Sequence, residues 1–155
     1  MTRTHLSAYR RDSNLRDSLV RSTLHDTTVV DDDRGTFSCG RSRCNTCTQT
    51  NVSAFVDSPG GRITIGDKFT CASNNVVYVI KYQACNKLYI GGTCRRLGDR
   101  FREHLRSTRT ANTDLPVARH YLPGHSTEDM PVSAIRSGLQ STLDRRRFEA
   151  KLILK

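Results

Sequence analysis

Two short apolar runs, each carrying a tyrosine, constrain the fold of this chain more than any other feature. The run Val76–Lys81 is rich in β-branched and aromatic residues, and Leu88–Gly91 follows it after a short interval. Such residues favour strands because their side chains pack well on a pleated surface. The polar pair Asn86 and Lys87 between the runs is typical of a turn. The sequence therefore predicts a β-hairpin over 76–91.

A basic amphipathic helix is predicted directly after this hairpin, over 95–109. Apolar residues recur at every fourth position and form one stripe of the helix: Leu97, Phe101 and Leu105. Arg100 and His104 are also four positions apart, so the helix places them one turn from each other on a common face. Two reactive side chains are therefore expected close to the hairpin.

Further elements give the chain an α+β pattern. They are a strand at Arg62–Ile65, a short helix at Pro116–Tyr121, a strand at Pro131–Ile135, and a helix at Thr142–Leu154 with Phe148 and Leu152 facing inward. A short amphipathic helix is also expected at 14–20. Strands and helices that follow one another in this mixed order indicate an α+β fold, here preceded by a Cys-rich segment.

The positive charge of the chain is concentrated after residue 37. The formal net charge is +10, and residues 1–37, interpreted as an N-terminal arm and linker, hold equal numbers of Arg and Asp. A concentrated basic surface favours a polyanion because neutralising phosphates releases condensed counterions. Nucleic acid is the favoured partner, and solubility alone or an acidic membrane surface are the alternatives.

The sequence also predicts an intracellular location. No apolar run approaches the ~18 residues needed to span a bilayer. The first residues, Met-Thr-Arg-Thr-His, lack the apolar segment of a secretory signal. We therefore expect no membrane partner, and a nucleic-acid-binding protein of this kind is expected in the nucleus.

The cysteine spacing in segment 38–72 is typical of a metal site. The chain has six cysteines, which in an intracellular protein indicate metal ligands or free thiols rather than disulfides. Cys44 and Cys47 form a Cys-x2-Cys pair, with Cys39 upstream and Cys71 downstream. Four thiolates neutralise a zinc ion and fix a segment too polar to fold alone. The alternative is a set of free cysteines in a flexible arm.

The order of strand, turn, strand and helix resembles the core of a GIY-YIG nuclease domain over residues 73–155. Val76-Val77-Tyr78 stands at the first motif, with valine in place of its glycine, and Tyr89-Ile90-Gly91 matches the second motif. The resemblance implies a small three-stranded antiparallel sheet flanked by helices. It also implies a metal-dependent endonuclease that hydrolyses phosphodiester bonds in DNA.

The resemblance further implies a role for each reactive residue. Tyr78 is the expected base toward the attacking water, with Tyr89 hydrogen-bonding nearby. Arg100 would bind the phosphate with two parallel donors, and His104 would relay a proton or contact phosphate. Glu149 falls at the position of the acidic residue that holds Mg²⁺ or Mn²⁺, which fits one-metal chemistry.

Each of these residues has an ordinary role when taken singly. A tyrosine in a strand usually packs in the core, and Glu149 would form a salt bridge with Arg145 or Arg146. Only the joint order of the residues indicates a nuclease. The arginines expected to contact nucleic acid are Arg95, Arg96, Arg102, Arg106, Arg145 and Arg146.

A narrower resemblance is to the endonuclease of Penelope-like retroelements. It is carried by the Cys-x4-Cys-x2-Cys spacing, by Phe69-Thr70-Cys71, and by Pro116-Val117-Ala118-Arg119-His120 before Gly124-His125. In that group a Cys pair and a His pair form a zinc site. Here Cys85, His120 and His125 stand at three of those positions, and Tyr82 stands at the fourth.

This resemblance also implies a longer parent protein with a reverse transcriptase region. Because family members usually continue beyond the helix that carries Glu149, we expect a domain truncated at its C-terminus. Two rival functions remain open from the sequence. One is a catalytically inactive nucleic-acid-binding remnant, and the other is a zinc-dependent domain that uses residues 39–71 to hold a protein partner.

Overall fold

The described part of the chain is an α+β structure with small sheets and three helices. It is a computed structural model that describes residues 33–121 and 125–154. The strands are β1 (Gly35–Phe37), β2 (Phe55–Ser58), β3 (Gly61–Thr64), β4 (Lys68–Thr70), β5 (Val76–Lys81), β6 (Leu88–Thr93) and β7 (Val132–Arg136). The helices are α1 (Leu97–Arg109), α2 (Pro116–His120) and α3 (Thr142–Ile153), with 3-10 turns at Cys47–Gln49 and Thr127–Asp129.

The central sheet has three antiparallel strands in the order β6-β5-β7. Strand β5 lies in the middle and is buried from Val76 to Ile80, which explains its continuous run of apolar residues. In the β5–β6 hairpin, Tyr78 pairs with Gly91 and Ile80 pairs with Tyr89. The predicted hairpin is confirmed, and the predicted third strand is found as β7. Tyr78 and Tyr89 therefore become diagonal neighbours on one face.

Helix α1 packs its apolar stripe into the core, as the sequence predicts. Leu97, Phe101 and Leu105 are all buried. Sequence periodicity placed the first helical residue at Arg95, whereas the helix begins at Leu97 because Arg96 has an extended backbone with a ψ of 138°. The helix ends at Arg109, and Ala111, two residues later, has a φ of +50°. Such a left-handed residue commonly follows the last turn of a helix.

The Cys-rich segment shares its core with the central sheet. Ile65 and Phe69 belong to the same apolar cluster as the residues of β5. Strand β1 pairs in parallel with β4, and the hydroxyl of Thr36 accepts a hydrogen bond from the backbone of Ala134 in β7 at 2.9 Å. Thus β1, which lies inside the segment interpreted as an N-terminal arm, is joined to the sheet. Three residues are too few to show a strand period in sequence.

Elements outside the sheet were predicted with mixed success. The strand expected at Arg62–Ile65 is β3, and it pairs with β2, which the sequence did not indicate. Helix α3 packs on β6 and β5 through Phe148 and Leu152, as expected. Its cap, Ser141, accepts a hydrogen bond from the Asp144 backbone at 3.0 Å.

Two expectations concern the ends and the environment of the chain. The helix expected at 14–20 lies outside the described residues. Among the helices in 33–121 and 125–154, none combines the length and the apolar character that a membrane span requires.

Candidate active site and metal centres

The hydroxyl group of Tyr78 is the meeting point of β5 and α1. It lies 2.6 Å from Nε2 of His104, and Nε of Arg100 donates to it at 3.2 Å. Arg100 and His104 reach the same atom because four positions on a helix bring side chains to one face. The sequence predicted all three residues for the site, and the fold brings them together.

Burial sets the protonation of this trio. The pKa of His104 falls to about 4, first because the ring is buried and second because the Arg100 cation is near. Its imidazole is therefore neutral at pH 7. Burial raises the pKa of the Tyr78 hydroxyl, and Tyr89 adds to that rise, while Arg100 opposes it. Burial lowers the pKa of Arg100, but the Tyr78 hydroxyl more than reverses this, so Arg100 stays charged.

Tyr89 and Gly91 shape the space beside the trio. The Tyr89 ring lies 6.3 Å from the Tyr78 ring and 5.2 Å from the His104 ring, measured between centroids. A Cβ atom at Gly91 would approach the Tyr78 hydroxyl to 2.8 Å and Cε1 of Tyr89 to 2.9 Å. Only glycine fits between the two phenols at this position, which gives the glycine of the Tyr-Ile-Gly motif a physical reason.

Glu149 projects from α3 onto the backbone of β6. A Cβ atom at Gly92 would collide with Oε1 of Glu149, so the carboxylate lies directly against Gly92. Within the residues that the structure describes, Glu149 forms no hydrogen bond and no ion pair with Arg145 or Arg146. Partial burial raises the pKa of its carboxyl group, although Arg146 and Arg145 partly offset that rise. An oriented carboxylate without a protein partner is suited to act as a ligand for a divalent cation.

One open cavity connects Arg100, Tyr89 and Glu149, and it is called the active-site cavity below. It has a volume of about 410 Å³, and its wall includes Tyr89, Gly92, Arg100, Arg146 and Glu149. Tyr78 and His104 are buried behind this wall, where Arg100 binds the Tyr78 hydroxyl and Gly91 of the wall packs against it. The cavity thus brings together residues from β6, α1 and α3 that are far apart in sequence.

Glu103 is a site residue that the sequence interpretation missed. Its carboxylate accepts from Nη1 of Arg100 at 2.9 Å and pairs with Arg95 at 2.6 Å. The hydrogen bond from Arg95 is the main reason that the pKa of Glu103 is lowered. The sequence contains the pattern that predicts this pair, because Glu103 follows Arg100 by three positions on a helix and such residues are neighbours. Glu103 fixes the direction of Arg100 and leaves its Nη2 without a partner among the described residues.

The arginines expected to contact nucleic acid have different environments. Arg95 pairs with Glu103, and Arg102 pairs with Asp99. The remaining exposed ones form no ion pair in the described part of the chain: Arg96, Arg106 and Arg146.

Arg145 requires a correction. It is buried, with 6% of its surface exposed. Its Nη1 donates to the carbonyls of Leu139 and Gln140 at 2.7 and 3.2 Å, and its Nη2 donates to the hydroxyl of Thr142 at 3.1 Å. A guanidinium that is used in this way holds the loop before α3 in place and is not a free contact for phosphate.

The cysteines at 39, 44, 47 and 71 lie close together and could bind a metal such as zinc. The sulfur atom of Cys44 is 3.5 Å from that of Cys71, and the sulfur of Cys47 is 3.4 Å from Cys39 and 3.7 Å from Cys71. Zinc–sulfur bonds of ~2.3 Å in a tetrahedron place sulfur atoms about 3.8 Å apart. The cluster therefore has nearly the dimensions of a four-thiolate site.

The thiols of this cluster differ in acidity. Burial alone would raise the pKa of Cys44. Hydrogen bonds, first among them one from the Cys47 backbone, together outweigh burial and lower this pKa to about 6. The pKa of Cys71 is raised, first by burial and then by hydrogen bonds to the other thiols. Cys44 thus supplies a thiolate near neutral pH, and a hydrogen bond from the Arg41 backbone is the main cause that lowers the pKa of Cys39 as well. A cation would neutralise the negative charge of these sulfur atoms. Four soft donors suit zinc.

Cys85, His120 and His125 form a second, smaller group of potential ligands. The Cys85 sulfur lies 3.2 Å from Nε2 of His120. Tyr82 does not supply a fourth ligand, because its buried hydroxyl donates to the carbonyl of Val117 at 3.0 Å. Its ring instead packs edge-on against His120 at 4.5 Å. Three donors leave one position of a tetrahedral ion open to a small ligand.

Comparison of the chain with protein-family models, with curated proteins and with solved structures gives no match.

Proposed function

We propose that this chain is a metal-dependent endonuclease of the GIY-YIG type, similar to that of Penelope-like retroelements, which acts on DNA in the nucleus. One observation carries the proposal: the buried Tyr78 hydroxyl is shared by neutral His104 and charged Arg100, and Arg100 also lines the cavity that contains an unpaired Glu149. An acceptor, a permanent cation and a free carboxylate are the groups that phosphodiester hydrolysis requires.

Glu149 is the proposed ligand for one divalent cation. Its carboxylate faces the cavity without a protein partner, and Gly92 lets it lie close to the backbone of β6. When bound, Mg²⁺ or Mn²⁺ would neutralise phosphate charge and stabilise the leaving oxygen. Hard cations prefer oxygen donors, so the sulfur clusters elsewhere in the chain do not compete for this role.

The proton path runs through Tyr78 to His104. A neutral imidazole can accept the phenol proton at Nε2, since the two atoms are 2.6 Å apart. The relay requires the attacking water to reach the buried hydroxyl beside Gly91, where Tyr78 takes its proton and gives its own to His104. The relay avoids a free phenolate, which the raised pKa of Tyr78 disfavours. It forms an imidazolium at His104 instead, which the lowered pKa of His104 also disfavours, so the imidazolium has to pass its proton on before the next cycle. Tyr78 alone would be a weak base at neutral pH.

Arg100 and Arg146 are the proposed phosphate contacts in the cavity. Arg100 is held by Glu103 and Tyr78 through Nη1 and Nε, so its Nη2 is directed by two fixed bonds. Preorganised donors stabilise developing charge better than mobile ones, because they need no reorganisation during the reaction. Arg146 is exposed at the opposite wall, on α3.

Zinc in the four-cysteine cluster is proposed to be structural. The cluster joins Cys39, Cys44 and Cys47 to Cys71, which directly follows β4. A metal with four protein thiolates has no open position for substrate, so it stabilises the fold instead of reacting.

The test of this function is a nicking assay on supercoiled plasmid DNA with the unmodified chain. Nicking that requires added Mg²⁺ or Mn²⁺ is the expected result. If the protein binds the plasmid DNA but leaves it intact with either metal, the chain is a nucleic-acid-binding module and not an enzyme. The burial of the Tyr78 hydroxyl, which raises its pKa, is the observation that favours that second candidate.

A further inference from the structure

A second basic cavity lies on the other side of the first turn of α1 from the active-site cavity. It has a volume of about 240 Å³ between the Cys-rich segment and α1. Four arginines line it: Arg41, Arg43, Arg96 and Arg102. The sequence interpretation assigned no role to Arg41 and Arg43, which lie between Cys39 and Cys44.

The charge in this cavity is positive on balance. Asp99 is the one carboxylate in its wall and pairs with Arg102. Cys44 and Cys71 of the four-cysteine cluster also line the wall, and as thiolates they offset part of the arginine charge. Arg41, Arg43 and Arg96 form no ion pair among the described residues, and all three are exposed. Three cations around one concave surface repel each other, and an anion such as phosphate relieves that repulsion.

The Cys-rich segment is fixed to α1 by close backbone contacts. The amides of Leu97 and Gly98 donate to the carbonyls of Ser73 and Cys71, each at 2.8 Å. A Cβ atom at Gly98 would be 3.1 Å from the Cys71 carbonyl oxygen, so glycine allows this approach. Cys71 therefore connects the four-cysteine cluster directly to the helix that carries Arg100.

The two cavities share one helix turn. Arg95 and Arg100 line the active-site cavity, whereas Arg96 and Asp99 line the second cavity. A nucleic-acid backbone bound at Arg100 can therefore continue past Arg96 toward the Cys-rich segment. Contacts of this kind position a duplex without reading its sequence.

We propose that Arg41 and Arg43, together with Arg96, form a second phosphate-binding site for the DNA backbone that leads away from the scissile phosphate. Metal in the four-cysteine cluster would hold the 39–44 loop so that its two arginines face the cavity. This inference rests on the proposed nuclease function, but its test measures binding and does not need cleavage.

The test uses Glu149→Gln as the background, so that DNA is bound without being cut, and a fluorescent duplex in a series of salt concentrations. In this background, Arg41→Ser/Arg43→Ser should bind at least about tenfold more weakly. The slope of log affinity against log salt concentration should be shallower by about two units for this variant. Each lost phosphate contact reduces the magnitude of that slope by about 0.9. The matched control, Arg34→Ser/Arg109→Ser, removes the same charge from two exposed residues outside both cavities and should keep the slope.

A lysine variant separates charge from folding. Arg41→Lys/Arg43→Lys should bind within a few fold of the parent, with unchanged zinc content. If the serine pair and its control lose affinity equally, or if the lysine pair binds as weakly as the serine pair, the second site does not exist. If the serine pair binds weakly with a shallower slope but the unmodified chain never nicks DNA, the site stands and the nuclease function fails.

Discussion

The Tyr78 hydroxyl and Nε2 of His104 lie 2.6 Å apart, buried between the central strand and helix α1. The contact joins residues that are 26 positions apart in sequence. It depends both on the β5–β6 register, which places Gly91 opposite Tyr78, and on the helix period, which places His104 beside Arg100. The contact satisfies the hydrogen-bonding needs of a buried phenol and a buried imidazole, and it is the core of the proposed proton relay.

Removing the Tyr78 hydroxyl should stop the relay and leave the fold intact. Tyr78→Phe is expected to lower the nicking rate by a factor on the order of 10² or more, the usual contribution of a positioned acid or base. It should also lower the free energy of unfolding by about 1–3 kcal/mol, because Arg100 and His104 lose a buried partner. Tyr121→Phe, which removes a hydroxyl outside the site, is the control in both assays. An unchanged nicking rate in Tyr78→Phe rules out the relay.

His104 should make the stability of the protein depend on pH in a definite window. Its pKa is about 4 in the folded chain, and the ordinary pKa of a histidine is about 6.5, so the unfolded chain binds more protons between these two pH values. The free energy of unfolding should therefore be highest above pH 6.5 and fall by about 3 kcal/mol as the pH drops from 6.5 to 4.

The variant His104→Gln isolates the contribution of His104 to the free energy of unfolding, because glutamine does not titrate between pH 4 and 6.5. Denaturant unfolding at intervals across pH 4 to 6.5 should give a smaller fall for the variant than for the parent. The charged and titratable neighbours are Tyr78, Tyr89, Arg100 and Glu103, and they are present in both proteins. Parallel curves for the two proteins would show that His104 is not held neutral by the fold.

Gly92 should be required for the position of Glu149. A methyl group at this residue occupies the place of Oε1, so Gly92→Ala must displace the carboxylate. We expect weaker Mn²⁺ binding in a titration and at least about tenfold slower nicking at a fixed metal concentration, with little change in the thermal midpoint. Gly66→Ala is the matched control, because its nearest new contact is the Ile135 carbonyl at 3.8 Å. Equal metal affinity in the two variants contradicts the placement of Glu149.

The four-cysteine cluster should account for one zinc ion and a large part of the stability of the Cys-rich segment. Cys47→Ser is expected to lose one zinc per chain by elemental analysis and to unfold at a lower temperature, since metal binding and folding are coupled. Cys94→Ser, an exposed cysteine outside both ligand groups, should keep its zinc and its thermal midpoint. Equal zinc content in the two variants excludes a metal at this cluster.

Local patterns in the sequence were sufficient for much of the fold and for part of the site. The apolar stripe of α1 and the β-branched run of β5 specify their own structure, because their period is visible in consecutive residues. The helix period alone places Arg100 beside His104, whereas Tyr78 was added to them through the resemblance to the GIY-YIG core. The short spacing of Cys39, Cys44 and Cys47 likewise indicated the cluster that the fold completes with Cys71.

Features that depend on how distant elements dock could not be predicted from local patterns. The contact between Gly92 and Glu149 exists only because α3 packs on β6. Arg145 looked like a surface cation, yet carbonyl groups of the preceding loop surround its guanidinium. Strand β1 has three residues, and its pairing with β4 is fixed by the surrounding core and not by a pattern of its own.

The most direct test of the proposed function compares Glu149→Gln with Glu128→Gln in plasmid nicking with Mg²⁺ or Mn²⁺. Both changes remove one carboxylate, but Glu128 is exposed in the turn Thr127–Asp129, outside the active-site cavity. We expect Glu149→Gln to bind DNA, to keep its thermal midpoint and to lose nicking by at least about a hundredfold, while Glu128→Gln nicks like the unmodified chain. Nicking by Glu149→Gln at the rate of the unmodified chain would contradict the assignment of the metal ligand and, with it, the proposed site.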